Sequence, residues 1–282
     1  MLMAKQRVTG KCKLCRRVKE LCDSHYLPKS MYKSVQAKEL KNSNPVMSVN
    51  GELKQVSDQY RGFVLCGDCE NLFNKHGEKW VVANTPRTPT ASFLLQDALR
   101  PLVPIRIEEN LNVYGISNVD AFDVQKLIYF GLSIFWRGSV HEWRTSVTGQ
   151  RAPVVDLGVY EEPIRKFLMG EGSFPHNVAL KLDIWPFTEV LHALHPVVTE
   201  RSPEGPRYWF YVPGLLFFLH VGAGIPEYAR LLNLNNGVIA LDTEVARSVR
   251  THIINGVKSQ HAGPKIEKMT QDIAKIRPTL KK

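Results

Sequence analysis

The clearest periodic signal in the chain is a broad apolar stripe between Asp120 and Trp136. Its apolar residues recur at helical spacing and cover so much of the helix surface that a buried helix is expected. Asn118 or Asp120 would cap the start of this helix, and Gly138 would end it. The apolar positions are Phe122, Val124, Leu127, Ile128, Phe130, Leu132, Ile134 and Phe135.

A second apolar stretch covers residues 208–221 and is divided by Pro213-Gly214. It is too short for a comfortable membrane span, and Pro-Gly is a turn signal, so the stretch predicts a β-hairpin. Shorter patterns predict strands at Val154–Leu157 and Ala179–Ile184, and helices at Glu161–Met169 and Thr243–Val257, with Thr243 as the cap of the last helix.

These elements predict an α+β protein with a small N-terminal module and a larger second domain. Residues 1–82 carry all five cysteines, and residues 83–105 contain the prolines typical of a linker. Residues 106–257 are expected to form a mixed, helix-rich domain with a few antiparallel strands. Residues 258–282 form a basic tail, either a flexible arm or a helix between Lys265 and Ile276.

Charge is unevenly distributed along the 282 residues. The net charge is +10 at pH 7, and the excess of Lys and Arg lies in the first module and the tail, while the middle is close to neutral. Because Lys and Arg release condensed counterions when they contact phosphates, nucleic acid is the expected partner. The alternative is a solvated basic surface with no polyanionic partner.

The first residues become charged at once and lack the apolar core of a secretory signal, so a cytoplasmic protein without a membrane partner is expected. Cysteine pairs in a reducing compartment bind metals more often than they form disulfides. The placement of the cysteines therefore becomes the strongest chemical signal.

Cys12 and Cys15 form one Cys-x-x-Cys pair, and Cys66 and Cys69 form another. Two thiolates from one tight turn reach the same ion at about 2.3 Å, and two such turns complete a tetrahedral zinc site. Nearby basic residues lower the thiol pKa values and offset the charge of four thiolates. These residues are Lys11, Lys13, Arg16, Arg17 and Lys19.

Other arrangements of the cysteines have less support. Cys22 is left over and is interpreted as a small buried hydrophobe. A rival zinc set of Cys12, Cys15, Cys22 and His25 has tolerable spacing but leaves the second pair without partners. A thiol oxidoreductase would need a thioredoxin-like βαβ pattern, and neither pair lies in one.

Between the cysteine pairs the chain reads Ser24-His25-Tyr-Leu-Pro28, and the second pair opens a predicted helix. A Cys-x-x-Cys pair, an Asp-His-x-x-Pro-like strand end and a Leu-Cys-x-x-Cys helix start are the arrangement of zinc-stapled HNH endonucleases. The chain resembles this family, which implies a treble-clef or ββα-metal module over residues 1–82.

The resemblance implies a role for three residues. His25 takes the position of the general base that activates water, for which a neutral imidazole is suited near pH 7. Glu70 takes the position of a ligand for catalytic Mg²⁺ or Mn²⁺, ions that prefer oxygen ligands. Asn74 lies four residues after Glu70 and shares its helix face.

The chain also departs from the family pattern. Ser24 stands where the family has an aspartate or histidine ligand, and Glu70 stands where a histidine or asparagine is usual. Asp23, His76 and Glu78 are candidates to supply the missing ligand, and His76 is alternatively an exposed residue near the end of the helix.

The second half carries a less specific resemblance. Val124–Ser139, followed by Val155–Arg165, resembles the helical partner domain that accompanies HNH-like modules in uncharacterised bacterial or phage-related proteins, and it implies no activity. Arg137 would contact a phosphate or cap the helix end with a paired carboxylate. His192 and His195 are interpreted as structural.

The sequence therefore predicts a nuclease that acts on DNA, or alternatively RNA, with structural zinc and catalytic Mg²⁺ or Mn²⁺. The competing hypothesis is an inactive zinc-stabilised module that binds nucleic acid or a protein. The second domain is expected to contact a second copy or a partner protein. The expected nucleic-acid-binding residues are Arg16, Arg17, Lys19, Lys29 and Lys33.

Overall fold

The computed structural model describes residues 7–34, 46–49, 52–55, 58–86, 93–185, 194–202, 205–264, 267–268 and 271. The helices in this part of the chain are α1 (Lys29–Ser34), α2 (Gly67–Phe73), α3 (Lys79–Asn84), α4 (Leu94–Leu99), α5 (Val124–Val140), α6 (Glu161–Leu168), α7 (Glu227–Leu231) and α8 (Thr243–Lys258). A π-helical turn spans Asn74–Glu78, and 3₁₀ turns span Gly158–Tyr160 and Leu234–Asn236.

The strands are β1 (Val8–Lys11), β2 (Val18–His25), β3 (Val46–Val49), β4 (Glu52–Gln55), β5 (Tyr60–Cys66), β6 (Arg106–Glu108), β7 (Leu111–Gly115), β8 (Arg144–Thr145), β9 (Val178–Ile184), β10 (Leu194–Ser202), β11 (Gly205–Val212), β12 (Leu215–Val221), β13 (Val238–Asp242) and β14 (His261–Ala262).

These strands form three sheets. The N-terminal sheet has the order β1-β2-β5-β8 and is antiparallel. The largest sheet has the order β10-β11-β12-β9-β13-β7-β6, with β9 and β13 parallel. In the third sheet, β14 of the predicted tail pairs with β4. The α+β class is confirmed, but the expectation of a helix-rich second domain is wrong because a seven-stranded sheet dominates it.

The predicted hairpin is formed by β11 and β12, with Val212 opposite Leu215. Gly214 has a φ of +81°, a conformation that glycine adopts without steric cost. A Cβ atom at this position would also lie 2.5 Å from the ring of Phe93. Pro-Gly therefore makes the turn, as its sequence indicates.

The other predicted elements differ in detail. The strand at Ala179–Ile184 is part of β9, which is buried at every position. Residues 154–157 form no strand; Val155 and Leu157 are buried in an irregular segment. The last predicted helix is α8, but its cap is Asp242, whose side chain accepts from a backbone N–H of the first turn.

Helix α5 is the predicted buried helix, with different ends. Asp123, rather than Asn118 or Asp120, is its cap, because the Asp123 side chain accepts a hydrogen bond from the first turn. Gly138 lies inside the helix and does not end it. A Cβ atom on Gly138 would lie 2.1 Å from the hydroxyl oxygen of Tyr26, so this glycine permits close packing.

The two halves of the chain share one apolar core, and α5 lies at its centre. On the side of the cysteine module, the rings of Trp136 and Phe73 meet edge to face at 5.9 Å. On the side of the large sheet, Phe130 packs against Phe217 at 5.8 Å. Burial of both faces explains why the apolar stripe of α5 is so broad.

The range predicted as a linker, residues 83–105, contains α4. Leu95 and Leu99 of this helix are buried in the shared core, as is Phe93 before it. Part of the range therefore packs as an element of the fold.

Gly77 allows the π-helical turn to approach α5. A Cβ atom at Gly77 would lie 2.9 Å from the backbone nitrogen of Phe130, which cannot move cheaply. We expect Gly77→Ala to lower the free energy of unfolding by about 1–3 kcal/mol through overpacking. In α8, a Cβ atom at Gly256 meets open space, so Gly256→Ala is expected to be neutral or stabilising. Urea denaturation compares the two variants, and equal stability would contradict the close packing.

His195 lies within a group of tyrosines. Its Nε2 is 2.7 Å from the hydroxyl of Tyr32, and its ring packs against Tyr26 and Tyr60. Burial lowers the pKa of His195 to about 3, so the ring is neutral at pH 7. These contacts support the predicted structural role, whereas His192 lies outside the described residues.

Candidate metal centre

The first cysteine pair lies on the tight turn between β1 and β2. The Arg16 N–H donates to the Cys12 carbonyl at 2.9 Å, and the Cys12 N–H donates to the Arg17 carbonyl at 2.9 Å. The Lys13 N–H donates to the Val64 carbonyl at 3.0 Å and joins the turn to β5. Backbone hydrogen bonds therefore hold this turn in place independently of a metal ion.

The second cysteine pair lies where β5 leads into α2. Cys66 is the N-cap residue, and Cys69 lies in the first turn and is buried. The Cys66 N–H donates to the Cys12 sulfur at 3.4 Å. Thiolates are favoured here because the partial positive charge of a helix N-terminus lowers their free energy.

The four sulfurs form one cluster. The ligand atoms of Cys12, Cys15, Cys66 and Cys69 all lie within 4.8 Å of one another, and the Cys15 and Cys66 sulfurs are 3.9 Å apart. Tetrahedral zinc with Zn–S bonds of about 2.3 Å places its sulfurs about 3.8 Å apart. The four-cysteine cluster is thus confirmed and suits structural zinc, whereas the rival set with Cys22 is not brought together.

The thiols influence one another's ionisation. A hydrogen bond from Cys69 lowers the pKa of Cys12 to about 4, and the same bond raises the pKa of Cys69 far above its ordinary value. Burial raises the pKa of Cys66. One ionised sulfur therefore opposes ionisation of its neighbours, and a divalent cation relieves this conflict because it stabilises all four thiolates.

Cationic side chains support the cluster. The Arg17 guanidinium hydrogen-bonds to Cys15, which raises the pKa of Arg17. Arg165 of α6 donates through Nη1 to the Leu14 carbonyl at 2.8 Å and through Nε to Glu162 at 2.9 Å. The second half of the chain therefore holds the first cysteine turn in place.

His25 is the last residue of β2 and lies opposite Arg61 on β5. Burial lowers the pKa of His25, and the positive charge of Arg61 lowers it further, while Asp23 and Glu70 act in the opposite direction. The imidazole is therefore neutral at pH 7 and able to accept a proton.

Glu70 directly follows Cys69 in α2. Its Oε1 atom is buried and has no hydrogen-bond partner among the described residues. Its negative charge is close enough to His25 to raise the pKa of the imidazole. The Asn74 N–H donates to the Glu70 carbonyl, so the two residues share a helix face as predicted, although Asn74 is exposed. A buried carboxylate oxygen without a donor or cation is costly.

The Ser24 side chain forms hydrogen bonds within the N-terminal sheet. It is buried, its hydroxyl accepts from the Leu65 N–H at 3.3 Å, and it donates to the Cys22 carbonyl at 3.5 Å. These bonds span the irregular register between Leu21 and Asp23. The side chain at the position before the proposed base is therefore occupied by structural hydrogen bonds.

Two of the suggested replacement ligands form ion pairs. Asp23 pairs with Arg61 beside His25. Glu78 pairs with Arg137, which is 1% exposed. Arg137 thus fits the predicted paired carboxylate better than a phosphate contact, because no room for a ligand exists around a guanidinium so fully enclosed.

His76 lies apart from the cysteines, on the rim of a 490 Å³ depression between α2, α5 and α6. It is exposed, and its ring lies 5.4 Å from that of Tyr129. No group of metal-ligating side chains in the described part of the chain includes His76.

The predicted nucleic-acid-binding residues fall into two groups. Arg16 and Lys19 form ion pairs with Glu162 and Asp68, and Arg17 faces a cysteine of the cluster. The others are exposed on α1. They are Lys29 and Lys33.

Two further residues of this region, Arg61 and His141, were not predicted from the sequence. Arg61 becomes a neighbour of His25 only when β2 pairs with β5. The ring of His141 covers Gly62, where a Cβ atom would lie 2.3 Å from its Nε2 atom, and burial lowers the pKa of His141. A glycine within a strand signals close approach of another group, so Gly62 was the available clue.

Comparison with protein-family models, curated proteins and solved structures finds no match for this chain. In the part of the chain that the structure describes, no helix combines the length and apolar character needed to cross a bilayer. A function for this chain is therefore inferred from its own residues and their geometry.

Proposed function

We propose that the chain is an HNH-type, metal-dependent endonuclease that hydrolyses phosphodiester bonds in DNA. The observation that supports this most is the neutral imidazole of His25 near the unpartnered Glu70 oxygen, one residue after the cluster cysteine Cys69. A proton acceptor and an anionic ligand for a hard cation are the groups that this hydrolysis requires.

In this proposal, Glu70 holds Mg²⁺ or Mn²⁺ together with Asn74 in the next turn. The ion supplies stabilisation of the charge that develops on the leaving oxygen. His25 accepts the proton of the attacking water. Arg61 lies opposite His25 and pairs with Asp23 through Nη2, so it would contact the attacked phosphate only through guanidinium donors that this ion pair does not use.

The zinc cluster takes no part in the chemistry. Four thiolates close the coordination shell and leave no position for water or substrate, as in structural zinc sites. Its role is to fix β2 against the start of α2. Because His25 ends β2 and Glu70 lies in the first turn of α2, this anchor sets the distance between the base and the ligand.

DNA is the proposed substrate because the net charge is +10 and several cations lie near His25. Lys29 and Lys33 are exposed and available for phosphate contacts. Arg16 and Lys19 already pair with carboxylates. Each would have to leave its partner to bind a phosphate, so we expect these two residues to contribute less to affinity.

The proposal is tested by plasmid nicking with Mg²⁺ or Mn²⁺. We expect His25→Ala to lower the nicking rate by about 10²–10⁴-fold, the contribution typical of a general base. Glu70→Gln is expected to weaken activation by the cation, seen as a shift to higher Mn²⁺ concentration. His176 is exposed in a loop, so His176→Ala is the matched control and should retain full activity.

Zinc content and thermal melting are measured on every variant, so that loss of fold is separated from loss of chemistry. Nicking by His25→Ala at the rate of the unmodified protein would refute the proposed base. Activity of equal strength in EDTA would refute the proposed cation.

A second function is favoured by one observation. Ser24 and Asp23 are both engaged with protein groups, so the position that precedes the base offers no free ligand. A zinc-stabilised module that binds DNA without cleaving it would fit this arrangement. Salt-dependent binding with no cleavage under Mg²⁺, Mn²⁺ or other divalent ions would distinguish it, since phosphate contacts alone give that salt dependence.

A further inference from the structure

Strand β6 forms one edge of the seven-stranded sheet, far along the strand order from the hairpin of β11 and β12. Its inner side pairs with β7, and no strand pairs with its outer side in the described part of the chain. An exposed edge of this kind presents backbone N–H and C=O groups to another strand, and monomeric proteins usually protect it.

Exposed apolar side chains lie in this edge strand and just before it. Ile107 of β6 is 70% exposed, and Val103 and Ile105, which precede the strand, are 85% and 66% exposed. Ile105 is adjacent to Gly115 of β7, whose added Cβ atom would lie 3.8 Å from the Ile105 side chain. An exposed isoleucine on an edge strand, with two more exposed β-branched residues just before the strand, is unfavourable unless something covers these side chains.

The charged residues of β6 indicate which partner would cover the exposed apolar side chains. Arg106 and Glu108 alternate with the isoleucines, and the Arg106 Nε donates to the Glu108 Oε1 at 2.7 Å. In an antiparallel pairing of β6 with a second β6, centred on Ile107, Arg106 of each copy lies opposite Glu108 of the other. The strand is therefore complementary to itself in both charge and apolar character.

We propose that β6 pairs with β6 of a second copy of this chain, so that two seven-stranded sheets join across a twofold axis. Such an isologous contact places Ile107 beside its own counterpart and two Arg–Glu pairs on either side of it. The strand is only three residues long, and the dimer is accordingly weak, with dissociation in the micromolar range. This inference is independent of the proposed nuclease activity.

Charge exchange tests the pairing. Sedimentation equilibrium of the full chain should show a monomer–dimer equilibrium at micromolar concentration. We expect Arg106→Glu and Glu108→Arg each to weaken it about tenfold or more, because each places like charges opposite each other twice. A mixture of the two variants should form a heterodimer. One copy then carries glutamate and the other arginine at positions 106 and 108, so both pairs across the contact join opposite charges. The double variant should dimerise like the unmodified protein.

Asp97 of α4 and Arg100, which follows the helix, provide the matched control, since they form an ion pair outside β6. Asp97→Arg should leave the dimer unchanged. Ile107→Ser should abolish the dimer without changing the melting temperature of the monomer, because the Ile107 side chain is exposed in the monomer. A monomeric unmodified protein, or single charge variants that dimerise normally, or a mixture that stays monomeric would each overturn the proposal.

Discussion

Replacing Cys69 by serine is expected to release zinc and unfold the N-terminal module. The purified protein should contain one zinc ion per chain, and the variant should contain almost none. Structural zinc sites bind with apparent free energies of roughly 10–16 kcal/mol, which matches or exceeds the roughly 5–15 kcal/mol that stabilises a typical domain. The variant also leaves three clustered sulfurs, those of the buried Cys12 and Cys66 and the half-buried Cys15, whose ionised forms are no longer stabilised by a cation.

Unfolding should extend beyond the module. Cys12, Cys66 and Cys69 belong to the same core as the residues of α5, and Arg165 of α6 holds the turn that carries the first pair. Hydrogen exchange should therefore rise first in β1, β2 and β5, and then in α5 and α6. The inner strands β9 and β12 should keep the strongest protection, since every residue in them is buried.

Cys22→Ser is the control for this experiment. Cys22 carries the same thiol and lies in β2 between the two cysteine pairs, but it is outside the four-sulfur cluster. We expect this variant to keep full zinc content and to lose at most a small part of the free energy of unfolding. Equal zinc content in the Cys69→Ser and Cys22→Ser variants would show that the cluster does not bind the ion.

The parts of the fold that sequence predicted correctly depend on local patterns. Two residues between cysteines fix a turn that presents both sulfurs, and Pro213-Gly214 fixes a hairpin turn at a positive φ. Helix α5 was found because its apolar periodicity persists over several turns. Each of these signals lies within a few residues of the structure it produces.

The parts that sequence missed depend on distant partners. Strands β7 and β13 are short, and their pairing joins residues more than a hundred positions apart. Gly138 was predicted to end the helix because no residue near it in the sequence indicates that the side chain of Tyr26 packs against it. Arg61 became a neighbour of His25 only through the pairing of two strands. Long-range packing therefore overrode local propensity at these positions.

Some features of the candidate site can likewise be predicted from the sequence, and others arise only in the folded chain. The four cysteines and the shared face of Glu70 and Asn74 follow from spacing along the chain. The unpartnered Glu70 oxygen and the lowered pKa of His25 arise from burial. Spacing alone could not show that Ser24 is bound to the backbone of the sheet.

Breaking the ion pair between Arg137 and Glu78 is expected to destabilise the protein strongly. Arg137 is 1% exposed, and its Nη1 atom also donates to the Tyr26 carbonyl at 3.2 Å, while its guanidinium lies 4.7 Å from the centre of the Phe73 ring. We expect Arg137→Met to cost about 3–5 kcal/mol, because it leaves the Glu78 charge and a buried carbonyl without a donor. Urea denaturation measures this loss.

The double variant distinguishes the charge from the packing. Arg137→Met combined with Glu78→Met removes both charges, so we expect it to be more stable than Arg137→Met alone, as for other buried pairs replaced by apolar residues. Arg137→Lys should not restore stability, since one ammonium group cannot reach Glu78 and the Tyr26 carbonyl with the geometry of a guanidinium. A double variant less stable than the single one would show that the cost comes from packing around Phe73 and not from an uncompensated charge.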